Sequence, residues 1–522
     1  MDKSLVLSNQ FHKKKRLDIL FRLGLELPLP MVILFTLPLW ILAALFDSVF
    51  VGNIAAIVGL IICFAWFWTI LKNQNQMLRF MRLGAIVLCI IQFMAWLTSS
   101  YIHYSENMEM KESLQTLLGF ESAVSYYCIA ISFVIVFAFF FALLGSAKMI
   151  QSLEQNVVKQ LLKMMYIKNI TLYAYIFLLV LFELLLIGSG IVGQRSIVVE
   201  GYEAGQKPFW NVFYETFLSI HIILNALLVY KIFNEKLNKK MLIQLLAIVS
   251  FLVLAFIFFS KGRSGFVFYL ISIGFWYIFL SNKRPAIIKL IVLIIIVYPI
   301  ISQLLLFNNF MRTKNSNVED VRGSAIDVLP QAFDSYVNSS DLIEEEKVRS
   351  SKNLATRPLV ATPLAQCIHL DERAKYFMMG DNLIHSLVWA LPGALIPNKI
   401  DFPIQEELLY THFPIGYSDT ADSIYLGAYT DFGWVGSIGY PVFFLLIWVL
   451  FLFLYYKIKP TLLSYLALVA VFFQTMVLSI GEGSVLSWLV SFRTVLIFFI
   501  IDIVMLFFLF FIKRNKMNKK RH

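Results

Sequence analysis

Long runs of apolar residues, separated by short polar breaks, dominate the chain. A helix that crosses a bilayer needs about 20 predominantly apolar residues. Twelve stretches meet that need: 29–46, 49–71, 83–100, 122–147, 169–193, 213–232, 241–260, 265–281, 287–306, 433–456, 461–480 and 485–512. The pattern predicts an all-α fold, a polytopic helical bundle of about 12 transmembrane helices with one large extracytoplasmic loop. It divides into 1–306 (about nine helices), 307–432 (the loop, with short helices) and 433–522 (about three helices and a basic tail). The stretch 382–399 is too short and too interrupted by proline to span, and reads as a re-entrant or interfacial piece roofing a cavity.

Composition sharpens this. Of 522 residues, 59% are hydrophobic and only 15% charged, and 49 are Phe; the mean hydropathy is +0.76. A soluble domain carries about 25% charged residues, so a water-soluble enzyme and a disordered chain are both excluded. The basic stretch Lys13 to Arg16 precedes an apolar run, but no small-residue cleavage site closes it, so the N-terminus reads as retained. Cys63, Cys89 and Cys128 fall in apolar runs, which leaves Cys367 alone in a polar loop. No CxxC or zinc spacing occurs, and no metal site is expected.

The net charge of +11 is unevenly distributed. Alternate connections are basic: 1–28, 72–82, 148–168, 233–240, 282–289, 457–460 and the tail. Lys and Arg gather in cytoplasmic loops, so both termini are expected in the cytoplasm, and the excess charge needs no nucleic acid partner. The other connections are acidic. Glu106, Glu109, Glu112 and Glu121 face one Lys in 101–121, and 307–432 has ten basic and seventeen acidic side chains, a net −7. One turn departs from the rule: SKGRSG (Ser260 to Gly265) falls on the outer side yet carries Lys261 and Arg263. Either the two cations snorkel to the interface, or the glycines and the guanidinium form an anion site at a helix end.

Candidate chemistry follows from the charged residues. Arg263, Arg312, Arg357 and Arg493 are candidates for phosphate binding. Arg493 lies inside the last span, where an unpaired guanidinium costs at least about 2.5 kcal/mol; it either serves a wet cavity or pairs with Asp502 or Glu215. Acid–base candidates are His412, Asp419 and Asp422, then Asp431, His385, Glu482 and His221. Asp419 and Asp422 also read as the capped start of a helix beginning near Asp419. His221 and Glu215 either pair or line the bundle. Tyr425, with Tyr417, Tyr429 and Trp434, suits stacking on sugar rings or an interfacial aromatic belt. No phosphate-cradling GxxxxGK[ST], GxGxxG after a strand, HExxH or GxSxG occurs, so no nucleotide or other cofactor is expected and the energy source lies in the substrate.

FFSKGRSGFVFYL (Phe258 to Leu270), FNNFMRTK (Phe307 to Lys314), LPGALIPNK (Leu391 to Lys399) and DTADSIYLGAYTDFGWVG (Asp419 to Gly436), set in this span pattern, resemble the O-antigen polymerase (Wzy-type) family of oligosaccharide repeat-unit polymerases. The resemblance implies a metal-independent glycosyltransferase of the bacterial inner membrane, acting on undecaprenyl-pyrophosphate-linked oligosaccharides at its outer face. A chain-length regulator and a flippase would be its companions. It implies pyrophosphate binding by Arg263 and Arg312, with Arg357 a weaker match, and a His412 or Asp419 that orients or deprotonates the acceptor hydroxyl. An O-antigen ligase-type transferase and a non-enzymatic lipid-oligosaccharide flippase or transporter are the competing readings.

Overall fold

The computed structural model describes residues 28–71, 79–105, 107–166, 168–188, 216–259, 263–280, 360–370, 377–391, 401–413 and 423–519, with a few isolated positions between them. Every regular element among them is helical. In chain order these are α1 (Pro28–Leu34), α2 (Leu37–Leu45), α3 (Val49–Leu71), α4 (Phe80–Ser105), α5 (Met110–Leu118), α6 (Ala123–Leu144), α7 (Lys148–Met165), α8 (Asn169–Gly188), α9 (Thr216–Asn234), α10 (Lys239–Phe259) and α11 (Arg263–Leu280). Beyond them come α12 (Thr362–Leu370), α13 (Asp381–Ala390), α14 (Gln405–His412), α15 (Ile424–Phe432), α16 (Gly436–Ile458), α17 (Leu462–Phe473) and α18 (Val485–Lys519).

Seven of the segments are long and apolar enough to cross a membrane, and three shorter apolar helices, Ser219–Asn234, Tyr269–Leu280 and Leu462–Leu478, accompany them among the described residues. The chain is therefore a helical membrane protein. The expected ninth span, 287–306, lies outside the described residues. The first span is broken into α1 and α2 because Pro38 lacks the N–H that a continuous helix would use; the Thr36 hydroxyl donates to the Ile33 carbonyl at the break (2.8 Å).

Burial sorts the helices into centre and periphery. Over their apolar windows α4 is 72% buried and α6 67%, against 33% for α3 and 28% for α8. With α17, whose side chains are all buried but for Leu463, α4 and α6 form the axis of the bundle. Large apolar side chains left exposed on outer helices, such as Phe35, Phe50, Phe177 and Leu446, are the surface that lipid covers. The axis is tight. A Cβ on Gly84 of α4 would sit 1.9 Å from the Met476 carbonyl oxygen, so only glycine lets α4 meet the π-helical turn Gln474–Leu478 that ends α17.

Contacts define two ends. At one, Asn234 of α9 donates to the Leu280 carbonyl of α11 (3.1 Å), and the Asp502 carboxylate accepts from the Thr461 hydroxyl (2.6 Å). Lys231 lies over the Tyr173 ring there, at 4.6 Å. Exposed Lys148, Lys159, Lys163, Lys168, Lys236, Lys239, Lys240, Lys457 and Lys459 crowd this lysine end. The basic segment 148–168, expected as a connection, is largely the amphipathic helix α7. It buries Ile150, Gln151, Glu154, Val157, Val158, Leu161 and Met165, the three- and four-residue spacing of one helical face, against α16 and α17.

The opposite end holds α5 and α12–α15. There Asp47, in the left-handed region at φ 45°, accepts from the Ser125 backbone N–H (3.0 Å) and hydroxyl (2.9 Å) and meets Lys111 Nζ at 2.6 Å. Burial pushes the Asp47 carboxyl up, but the bonds from Lys111 and Ser125 outweigh it and hold it below its usual value.

Candidate functional site at the loop-bearing end

The described part of segment 307–432 is a set of short helices docked on the bundle. α12 packs on α6 and α15, and α13 on α18, α14 and α15. Residues 360–370 overturn the expectation of a polar stretch: VATPLAQCIHL is apolar on one face, and Val360, Ala361, Leu364, Ala365 and Cys367 are buried. Cys367 is therefore a core thiol rather than a loop thiol. His369 closes that helix, stacked on Phe120 (ring centroids 3.8 Å apart) and edge-on to Tyr126 (4.7 Å).

At the centre of this end lies α13, the stretch predicted as a short roofing piece. Its N-cap is Gly380 at φ 100°, a conformation that disfavours side chains. The N-terminal donors of a helix need acceptors, and here they come from 48 and 49 residues away in sequence. The Asp431 carboxylate accepts from the backbone N–H groups of Asn382 and Leu383, each at 3.2 Å, and from the Tyr440 hydroxyl at 2.6 Å. Two backbone bonds, Met378 N–H to the Thr430 carbonyl (2.9 Å) and Met379 N–H to the Asp431 carbonyl (3.0 Å), fix the register. At the other end of α13, Arg493 Nη1 donates to the Ala390 carbonyl at 2.8 Å. A carboxylate thus meets the positive end of the helix dipole and a guanidinium the negative end.

This arrangement settles one of the alternatives for Arg493. It does not pair with Asp502, which lies about 13 Å further along α18 and accepts instead from Thr461; Glu215 lies outside the described residues. Arg493 is half-buried and reaches across to the C-terminus of α13.

Beyond α13, Trp389 Nε1 donates to the Phe402 carbonyl (2.8 Å), and His385 Nδ1 lies 3.3 Å from the Pro403 carbonyl. Ile404 N–H donates to Glu407 (3.0 Å) at the start of α14, whose last residue is half-buried His412.

The start of α15 differs from expectation. Its cap is Ser423, whose hydroxyl oxygen accepts from Leu426 N–H at 3.1 Å, so the helix begins at Ile424 and not near Asp419. Asp419 and Asp422 lie outside the described residues, as do Lys261, Arg312 and Arg357. Arg263 opens α11, at the same end of the bundle as α13.

Tyr425, expected among the substrate-binding residues, is corrected to a core residue. It is fully buried. Its hydroxyl accepts from Gln92 Nε2 (3.2 Å) and donates to the Gly481 carbonyl (3.1 Å), tying α15 to α4 and to the turn before α18. A ring packed this way presents no face to a sugar. Tyr429 is likewise buried, whereas Trp434 is 46% exposed, as a belt residue is. Glu482 is exposed on its turn.

Sequence reasoning missed three polar assemblies. One is the Asp431–α13 cap; Asp431 was legible only as an acid–base candidate. A second lies near the lysine end, where Glu154 accepts from Trp448 Nε1 (2.9 Å) and Arg79 Nη2 donates to Gln151 (3.0 Å). The third is a Glu183–His221 contact of 2.7 Å within the apolar zone; Glu215, the other partner considered for His221, lies outside the described residues. Their members stand far apart in sequence and no local signal joins them. Among the described residues no group of three or more His, Cys, Asp or Glu is placed to hold a metal ion. No protein-family model, no curated protein and no solved structure matches the chain.

Proposed function

We propose that this chain is a membrane glycosyltransferase that polymerises lipid-linked oligosaccharide repeat units, with undecaprenyl pyrophosphate as the leaving group. The observation that supports the reading is a helix roof held by Asp431 and Arg493 at the end of the bundle opposite the lysine end, which is also the end where the helix that bears Arg263 starts. Lysine-rich ends face the cytoplasm, so in this reading both termini are cytoplasmic and the roofed end looks out of the inner membrane, where lipid-linked glycans are presented.

In the reaction an acceptor hydroxyl oxygen bonds to the donor's anomeric carbon as the bond to pyrophosphate breaks. The pyrophosphate leaves with the electron pair, and the hydroxyl proton passes to a base, His412 or Asp419. Arg263 and Arg312, with Lys261 and Arg357 as neighbours in the same outer segments, supply donors to the charge that builds on the departing oxygen. Such donors are worth most where water is excluded. The roof helix α13 supports that exclusion. Asp431 is occupied as a cap and is not the base.

The test is complementation of a deletion strain. Arg263→Ala and Arg312→Ala are expected to insert normally and to cut glycan ladders by about 10²–10³ in rate, the usual loss when an oxyanion donor is removed. Wild-type ladders in both variants would overturn the assignment. The intramembrane Glu183–His221 contact is the feature that favours the transport alternative; movement of labelled lipid-linked repeats in vesicles without elongation would select it.

A further inference from the structure

Two connections at the lysine end are held together through their side chains. α7 stops at its C-cap Tyr166, and the Tyr166 ring meets the Tyr230 ring of α9 edge-on, with centroids 6.2 Å apart. The next residue of α9, Lys231, is excluded from the surface; its ammonium pairs with Glu235 and lies over the Tyr173 ring of α8 at 4.6 Å. Asn234 ties the end of α9 to the Leu280 carbonyl (3.1 Å), and the Asn238 side chain caps α10 by accepting from Met241 N–H (2.8 Å). The α7–α8 connection is thereby fixed against the α9–α10 connection.

The resulting surface is cationic and, beside the charge, apolar. Lys163 and Lys168 stand exposed on the first connection, and Lys236, Lys239 and Lys240 on the second. Glu235, the one acid among residues 163–170 and 230–242, is already paired with Lys231. The connection that follows α11 lies outside the described residues; its sequence, 281–289, adds Lys283, Arg284 and Lys289 and no acid. Tyr166, Ile170, Phe233 and Ile243 are largely exposed beside these lysines. A soluble polyanion would neutralise the lysines and leave those four side chains in water. An uncharged lipid would cover the side chains and leave the lysines without counter-charge. An anionic phospholipid satisfies both, because its phosphodiester attracts ammonium groups at the membrane surface while its acyl chains take water's place on the apolar side chains.

We propose that this surface binds anionic phospholipid selectively, its phosphate held among Lys163, Lys168, Lys236, Lys239 and Lys240 and its acyl chains lying against Ile170, Phe233 and Ile243. Lys231 takes no part in the binding, since its ammonium is enclosed and paired; it keeps the two connections together. Selectivity of this kind is independent of the glycosyltransferase reading and of which leaflet the lysine end meets.

The test is native mass spectrometry of the full chain in detergent, titrated with phosphatidylglycerol or phosphatidylcholine of identical acyl chains to give the first binding constant of each. The wild-type protein is expected to prefer phosphatidylglycerol by about tenfold or more. Replacing Lys163, Lys168, Lys236, Lys239 and Lys240 together by Gln is expected to bring the ratio close to one, whereas Arg at the same positions keeps it. A control with Lys159→Gln, Lys457→Gln and Lys459→Gln, which removes charge elsewhere at the same end, is expected to stay within about twofold of wild type. No preference in the wild-type protein, a preference that survives the Gln replacements, or one lost equally in the control would overturn the site. Displacement of the lipid by millimolar inorganic phosphate would overturn it too, because the lysines would then take free anions without any contribution from acyl chains. If the combined Gln variant does not accumulate, the pair Lys163→Gln with Lys168→Gln and the pair Lys239→Gln with Lys240→Gln decide: each is expected to lower the ratio by about threefold, and wild-type ratios in both would sink the inference.

Discussion

Glu154 lies on the buried face of α7 with Trp448 Nε1 2.9 Å from its carboxylate. Burial pushes this carboxyl up to about 8, although the Trp448 bond and the nearby charges of Arg79 and Arg82 pull the other way. The sign of the consequence is fixed. A carboxyl whose folded value is raised binds its proton more tightly in the folded state, so folding is disfavoured as pH climbs from the ordinary carboxyl range toward 8, and the cost is complete above it. Glu154→Gln keeps an acceptor for Trp448 and removes the titration. It is expected to raise the thermal midpoint by a few degrees at pH 9 and by little at pH 5, read by a fluorescence melt in detergent. A gain of equal size at both pH values would refute this account.

At the scale of elements, α13 is a ten-residue helix, shorter than an isolated helix needs to persist in water, and its ends are held by residues from α15 and α18. Asp431→Ala removes the acceptor of two backbone donors and of the Tyr440 hydroxyl. A lost cap costs about 0.5–2 kcal/mol, and the stranded Tyr440 hydroxyl adds about 1–3 kcal/mol. Asp431→Asn keeps one acceptor oxygen and is expected to lose roughly half as much. Limited proteolysis within 391–404 is the direct measure, with cleavage faster in the order wild type, Asn, Ala. Equal cleavage in all three would remove Asp431 from its role as the cap of this helix.

For the whole molecule, the separation into a lysine end and a loop-bearing end makes a topological prediction. In a cysteine-free background, single cysteines at Lys159, Lys236 and Lys457 are expected to react with a membrane-impermeant maleimide only from the cytoplasmic side, and one at Lys111 only from the opposite side. Labelling of Lys111 and Lys159 positions from the same side would invert the arrangement. Much of this scale is legible without coordinates. Runs of twenty apolar residues dictate helices because lipid leaves backbone donors and acceptors no other partners, and the long apolar helices coincide with those runs among the described residues, whereas α7 and the short helices do not. Loop charge alone divides the connections into two sets, and the structure gathers most of the described lysines at one end, with Lys111 at the other. The site was legible only as a roster of types. That Arg493 carries a chemically expensive charge follows from its neighbours in sequence; that it ends α13 does not, because Ala390 stands 103 positions away. Tyr425 reads as a surface aromatic until Gln92, 333 positions distant, is seen holding its hydroxyl. The amino-acid order by itself determined the helices, their medium and the charge of each connection, since these depend on local hydrophobicity and hydrogen-bond demand. Only the tertiary structure decided which polar groups meet, since inside an apolar bundle a buried charge takes its partner from whichever helix packing brings alongside.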